Sequence, residues 1–240
     1  MDQDKISGLF LSHVMERQGS VSNQYRTRLL DFASRIIDES SSPVAPIAQV
    51  VKIMDKDEIL ITGMAVFKDD KLIGRLTNDE TLGYIWTMGG VKNSSIAAED
   101  DAGKAVFIID ELNSKRTLAL REDGGVGVKI SVDALLSVNE LSGFSEMAPL
   151  ELINHLIELS QDTIRQRIAD TFETARNMKA DIYEFGVSAH RKFPKEWRQM
   201  SDRWDDYFAG IEFEVEVKAR IPSTGKVIKS LKMEEGNYDY

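Results

Sequence analysis

Apolar side chains recur every three or four positions over the first part of the chain. Residues 4–18 carry this spacing, and so do residues 24–38, where Tyr25, Leu29, Phe32 and Ile36 form one stripe. Such spacing places apolar side chains on one face of a helix. We therefore predict two amphipathic helices, then a turn-forming break over residues 40–46 and a strand over residues 46–54.

The apolar pattern predicts a β-hairpin that begins at residue 59. Residues 59–67 are apolar on both faces, so we predict a strand that is covered on both sides. Residues 68–71 predict a tight turn, and alternation at Leu72, Gly74 and Leu76 predicts the second strand of a hairpin. Gly63 lies inside the first strand, where glycine often marks a close backbone approach or a bulge.

A helix is predicted directly after this hairpin. Thr77 precedes Glu80 by three positions, which is the spacing of a capping box: the threonine hydroxyl accepts from the Glu80 amide, and the glutamate accepts from the Thr77 amide. Gly89 and Gly90 provide the stop signal. Glu80 can be interpreted as a catalytic acid or as a helix cap, and the spacing favours the cap.

The second half of the chain is predicted to contain longer helices and strands. We predict strands over residues 105–111, 116–122 and 126–134, a helix from Pro149 to about Ala180, a helix starting at Pro194, and a last strand over residues 211–221. At about 1.5 Å per residue the long helix would extend ~45 Å. One face of the helix from Pro194 is predicted to be core and carries Trp197, Met200, Trp204 and Phe208. The pattern predicts an α+β fold in two small domains, residues 1–90 and 91–240, each a mostly antiparallel sheet packed with helices.

Composition narrows the classes of function. Forty acidic and thirty basic side chains give a formal net charge of −10. Nucleic acid and anionic lipid are polyanions, so bulk electrostatics argue against either as a partner. The absence of cysteine excludes disulfides and thiol chemistry in these residues. No apolar run reaches the roughly eighteen residues that span a bilayer, and the first residues lack the pattern of a secretion signal.

Candidate chemistry is sparse. His13, His155 and His190 lie far apart in the sequence without a second ligand type at metal spacing, so we predict no metal site. The glycine-rich residues 124–129 suggest a phosphate loop, but they lie between two strands and lack the usual Gly-Lys-Ser/Thr ending, so a hairpin turn is favoured. The acidic residues 99–101 could hold calcium, but they lack the alternating ligand spacing, which favours a solvated loop.

Residues 181–197 are the segment where polar side chains cluster with aromatic ones outside a clean period. Two interpretations stay open, an interaction surface and a well-packed corner between two helices, and Asp181 could cap the next helix. The candidate surface residues are Asp181, Glu184, His190, Arg191 and Lys192.

An ordered set of short motifs resembles one protein family. The motifs are GMAVF at residues 63–67, KLIG at 71–74, TNDETLG at 77–83, VGVK at 126–129, the long helix, ADI at 180–182, and HRKFP at 190–194 with Trp197. Together they resemble the C subunit of bacterial spore-germination nutrient receptors, the Ger(x)C lipoproteins. The signal peptide, lipidated cysteine and N-terminal domain of that family have no counterpart in these residues. The resemblance therefore implies the middle and C-terminal domains of a longer lipoprotein.

The resemblance also implies a function. It implies a non-enzymatic receptor subunit, lipid-anchored at the outer face of the spore inner membrane, that contacts the integral-membrane A and B subunits. It implies no catalytic residues, cofactor or metal. Two alternatives remain: a module that binds the nutrient directly, and a hydrolytic enzyme that uses scattered carboxylates such as Glu80 and Glu184. The enzyme would need a deep pocket where at least two titratable groups converge.

Overall fold

The computed structural model describes residues 29–38, 40–53, 56–144 and 146–222. In chain order the elements are α1 (Leu29–Ile37), β1 (Val44–Ile53), β2 (Lys56–Lys68), β3 (Lys71–Leu76), α2 (Asn78–Met88), β4 (Ser94–Asp100), β5 (Gly103–Leu120), β6 (Val126–Gly143), α3 (Pro149–Asn177), α4 (Phe185–Lys192), α5 (Pro194–Met200), a 3-10 turn (Ser201–Arg203), α6 (Trp204–Ala209) and β7 (Glu212–Arg220). The helix predicted over residues 4–18 lies outside the described residues. The one predicted over 24–38 is described from Leu29 onward as α1.

The first sheet has three antiparallel strands in the order β1-β2-β3. The predicted hairpin is confirmed, because Lys68 pairs with Lys71 across a turn in which Asp69 has a positive φ of 52°. Gly63 has a φ of 125°, and a Cβ there would lie 2.2 Å from the Leu76 carbonyl oxygen. The close backbone approach predicted at Gly63 is therefore present, and only glycine fits it.

The second sheet has four strands in the order β4-β5-β6-β7. β5 and β6 are 18 residues each and form a long antiparallel hairpin. The glycine-rich residues 124–129 are its turn and the start of β6, with Gly124 at a φ of 79°. β7 pairs parallel to β6, because α3 and the segments after it carry the chain back across the sheet.

Two predictions need correction. The two strands predicted over residues 105–111 and 116–122 are one strand, β5, whose pairing with β6 shifts in register between Val106 and Phe107 and between Ile109 and Glu111 but is not interrupted. Asn113 and Ser114 are polar and suggested a break between two strands, but both pair with β6. The acidic residues 99–101 do not form a separate loop: Glu99 and Asp100 end β4, and the turn to β5 follows.

The long helix α3 packs its apolar stripe against the second sheet and against α2. It runs for 29 residues, or ~44 Å, and ends a few residues before the predicted Ala180. The helix predicted from Pro194 is broken: a 3-10 turn separates α5 from α6. Its predicted core face is nevertheless buried, at Trp197, Met200, Trp204 and Phe208.

The α+β class with two sheets and one long helix is confirmed. The buried apolar side chains form one cluster that includes residues from both sheets. α2 follows the first sheet in sequence and packs on α3 and β5, so it lies where the two halves of the chain meet. The domain boundary placed at residue 90 stays a prediction. Over the described part of the chain, no helix has the length and apolar character needed to cross a membrane.

Candidate functional site

Asp181 lies in the corner between α3 and α4 and is 2% exposed. Its Oδ1 accepts from the amides of Tyr183 and Phe185, both at 3.1 Å, and its Oδ2 accepts from the Gly186 amide at 2.7 Å and Trp204 Nε1 at 3.0 Å. Burial raises the pKa of Asp181 to about 6, against the opposing effect of these four N–H donors. The side chain is inaccessible, so its placement on an interaction surface was wrong.

Asp181 caps α4 from outside the helix. The residue at the N-cap position, Glu184, has a left-handed φ of 61° and makes no capping hydrogen bond with its side chain. The first amide groups of a helix lack partners within it, and Asp181 accepts from two of them, at Phe185 and Gly186. A carboxylate at this end is also favoured by the helix dipole.

The corner is tightly packed around this carboxylate. A Cβ at Gly186 would lie 2.4 Å from the Ser40 carbonyl oxygen and 2.7 Å from Trp204 Nε1. The Ser42 amide donates to the Asp181 carbonyl at 2.8 Å. The segment before β1, the residues after α3 and the start of α6 therefore meet in this corner, at the backbone and side chain of Asp181.

Glu184 points away from that carboxylate towards α1. Its Oε1 lies 2.8 Å from Nε of Arg35, and Nη1 of Arg35 also donates to the Ile182 carbonyl at 3.4 Å. The pair is partly exposed and holds α1 against the corner. Glu184 is thus engaged in an internal ion pair while its side chain stays 37% exposed, and its role at an interaction surface stays a prediction.

His190, Arg191 and Lys192 are exposed in the last turn of α4. The His190 ring stacks on Trp197 of α5 with centroids 5.5 Å apart. Lys192 donates to the Leu118 carbonyl of β5 at 2.6 Å. These three side chains are accessible, and their role as an interaction surface stays a prediction.

Glu80 forms the predicted capping box, which is confirmed. Its Oε2 accepts from the Thr77 amide at 2.7 Å, and its own amide donates to Thr77 Oγ1 at 3.2 Å. The sequence did not reveal that Oε1 accepts from Thr174 Oγ1 of α3 at 2.5 Å. Desolvation raises the pKa of Glu80, but the hydrogen bonds from Thr174 and Thr77 outweigh it and lower the pKa overall.

A groove of about 730 Å³ lies beside Glu80, between the start of α2, β4 and α3. Its charged lining consists of Asp79, Glu80, Glu99, Asp162, Arg167 and Asp170. Arg167 contacts Asp79 at 3.4 Å, and Gln166 donates to Asp170 at 2.7 Å. Both oxygens of Glu80 are occupied by donors, which counts against its use as a general acid. In the described ranges, His, Asp and Glu side chains nowhere converge as a group of three that could hold a metal.

His155 binds an acidic residue at the β4–β5 turn. Its Nε2 lies 2.7 Å from Asp100 Oδ2, while Asp100 Oδ1 accepts from the amides of Ala102 and Gly103. Desolvation raises the pKa of Asp100, but the Ala102 and His155 hydrogen bonds outweigh it and lower the pKa overall. Asp100 thus shapes the turn and anchors the first half of α3.

Comparisons with known proteins agree on one family. A family model described as spore germination B3/GerAC like, C-terminal, matches residues 62–225. Spore germination protein KC of Bacillus subtilis (strain 168) is 24% identical over 168 residues, which are 68% of this chain and 41% of that protein. Spore germination protein YndF of the same organism is 22% identical over 170 residues, 69% of this chain and 42% of that protein.

A solved structure has the same fold. The crystal structure of the GerBC protein matches with a TM-score of 0.70 and 17% identity, covering 82% of this chain and 61% of that one. The chain spans about two fifths of the length of the curated relatives it matches.

Proposed function

Because this chain belongs to the GerAC-like family of spore germination proteins, we propose that it is a non-enzymatic subunit of a nutrient-germinant receptor. In this proposal the protein acts in germination signalling through contacts with the integral-membrane A and B subunits. The full-length protein is held at the outer face of the spore inner membrane by a lipid anchor.

The observation that carries the proposal is the use made of two carboxylates, Glu80 and Asp181. Glu80 is partly buried and Asp181 is fully buried. Each accepts from backbone amides and from a second element, Thr174 in one case and Trp204 in the other. A carboxylate whose lone pairs are committed to helix ends stabilises the fold and is poorly placed to exchange protons with a substrate.

The test is germination of spores in which residues 62–225 are removed in frame from the full-length protein. Loss of nutrient-triggered germination, restored by an intact copy at a second locus, is expected. A matched variant, Asp162→Asn with Asp170→Asn, removes two exposed acids of the groove and should leave germination intact if no chemistry occurs there. Normal germination after the deletion would refute the role of the subunit, and loss of germination in the groove variant would reopen the enzymatic alternative.

The groove beside Glu80 favours one second candidate, a module that binds the nutrient directly. Its volume suits a small molecule, and it presents both acids and the Arg167 guanidinium. Calorimetry of the chain with amino acids and with sugars separates the two candidates. Saturable heat that disappears in the Asp162→Asn, Asp170→Asn variant would support nutrient binding.

A further inference from the structure

Five exposed cations lie on α4, on α5, which follows it directly, and on the part of β5 that α4 contacts. They are Arg116, Arg191, Lys192, Lys195 and Arg198, and we call them the basic patch. We propose, resting on the function proposed above, that the basic patch is the docking surface for an acidic segment of a partner protein in the receptor.

Two of these cations are held by hydrogen bonds to the backbone. Lys192 donates to the Leu118 carbonyl at 2.6 Å, and Arg116 Nη1 donates to the Tyr183 carbonyl at 3.2 Å, so the last turn of α4 and the residues just before α4 are both joined to β5. The stacked rings of His190 and Trp197 join α4 to α5. A surface that is ordered before binding loses less conformational entropy when a partner docks.

Within the described ranges, three cations of the basic patch have no acidic partner. Several other cations of the fold do lie in ion pairs, as in Lys68 with Asp205, Lys129 with Glu214 and Lys179 with Asp206. Arg191, Lys195 and Arg198 form no ion pair with any residue of the described ranges, although the chain has ten more acids than bases.

The arrangement also works against stability. Lys195 and Arg198 are three residues apart in α5, a spacing at which like charges repel. The basic residues at the end of α4 do interact favourably with its dipole. That effect accounts for cations on α4 but not for Lys195, which lies in the first turn of α5, or for Arg116 on a strand.

An acidic protein segment fits this surface better than an anionic membrane does. The chain as a whole carries a formal charge of −10, so everything outside the basic patch is more negative still. A flat anionic bilayer would repel that remainder over a wide area, whereas a short acidic segment covers little more than the cations and the exposed Glu196 beside them. Val187 of α4, 37% exposed, supplies one apolar contact nearby.

The test uses the whole chain, a short poly-glutamate peptide, and a charge-reversed variant, Arg191→Glu with Lys195→Glu and Arg198→Glu. These three side chains make no hydrogen bond or ion pair with other described residues. The matched control, Lys71→Glu with Arg75→Glu and Arg220→Glu, makes the same change in net charge at exposed positions on β3 and β7. Circular dichroism verifies that both variants fold.

Salt-sensitive binding of the peptide is expected for the wild type and the control, with a loss of roughly tenfold or more in the charge-reversed variant. Equal losses in both variants, or no binding by the wild type, would overturn the proposal. So would binding to phosphatidylglycerol vesicles without binding to the peptide, because it would identify a membrane as the occupant.

Spores separate this proposal from the function on which it rests. If removal of residues 62–225 abolishes germination, the subunit role stands. If spores with the charge-reversed variant then germinate normally, only the basic patch is refuted. Germination that is impaired by the charge-reversed variant but not by its control supports both.

Discussion

Replacing Gly83 with alanine tests the contact that joins α2 to α3. A Cβ at this position would lie 2.2 Å from Thr171 Oγ1 and 2.4 Å from the Arg167 carbonyl oxygen. Real Cβ atoms do not come within 3.0 Å of such neighbours, so the two helices must move apart by an appreciable fraction of an ångström. The Arg167 contact involves backbone, which cannot rotate away.

Two opposing effects set the size of the change. Alanine in a helix interior is favoured over glycine by about 1 kcal/mol. Forcing an extra methyl group into a close-packed contact costs roughly 1–3 kcal/mol or more. Separation of the helices also strains the bonds from Thr171 Oγ1 to the Glu80 carbonyl at 2.9 Å and from Thr174 to the Glu80 carboxylate, each worth about 1 kcal/mol. We expect a net loss of roughly 2 kcal/mol in the free energy of unfolding.

Denaturant unfolding followed by circular dichroism measures this loss. Gly127→Ala on β6 is the control, because a Cβ there meets nothing closer than 3.9 Å and the backbone φ is not positive. The double variant Gly83→Ala, Thr171→Ala should recover little, since the Arg167 carbonyl oxygen remains in place. A Gly83→Ala protein that is as stable as the wild type, or more stable by the helix propensity of alanine, would refute the close contact.

Three further predictions concern the two buried or capping carboxylates. Glu80→Ala should lower the free energy of unfolding by about 1–2 kcal/mol, and Glu80→Gln by less, because its amide oxygen still accepts from the Thr77 amide and its NH2 can donate to the Thr174 hydroxyl; equal losses would show that the cap is not the cause. Asp181→Ala should lower the free energy of unfolding by roughly 3 kcal/mol or more, because four donors lose their acceptor in a buried corner. Thermal unfolding measures this loss, and an unchanged melting temperature would contradict the prediction. The pKa of Asp181, about 6 in the folded chain against 3.8 for the unfolded reference, means that the folded form binds a proton more tightly. The stability that proton binding at Asp181 contributes is therefore present below pH 4. It is lost as the pH rises to about 6, by at most about 3 kcal/mol. Asp181→Asn should remove this step from a plot of the free energy of unfolding against pH.

Local patterns predicted the elements whose cause is local. The capping box depends on two side chains and their own amides, and the hairpin depends on a two-residue turn, so both could be derived from short spacings. The last strand, with apolar side chains at alternate positions, was predicted to within one residue at each end. In each case the decisive interactions lie within a few residues of one another.

The elements that were wrong or missed depend on contacts distant in sequence. β5 is continuous because β6 pairs with it throughout, which the polar residues Asn113 and Ser114 do not reveal. The importance of Gly83 arises from residues of α3 almost ninety positions away, and its only local signal is a glycine inside an amphipathic helix. The sequence indicated that Asp181 could cap the following helix, which its bonds to the α4 amides bear out, but it did not reveal that the side chain is buried against the Trp204 indole.

Asp181 connects the stability of the corner to the proposed docking surface. A buried carboxylate is costly to desolvate, and an apolar side chain would avoid that cost. An apolar side chain, however, would leave the first amides of α4 and the Trp204 indole without acceptors. Those groups fix α4 at its first turn, and Lys192 fixes its last turn on β5. The Asp181 carboxylate thus binds the first turn of α4, and the cations of the basic patch that belong to α4 lie in its last turn. Its position accounts for the presence of a polar residue at a buried point of the segment that carries the basic patch.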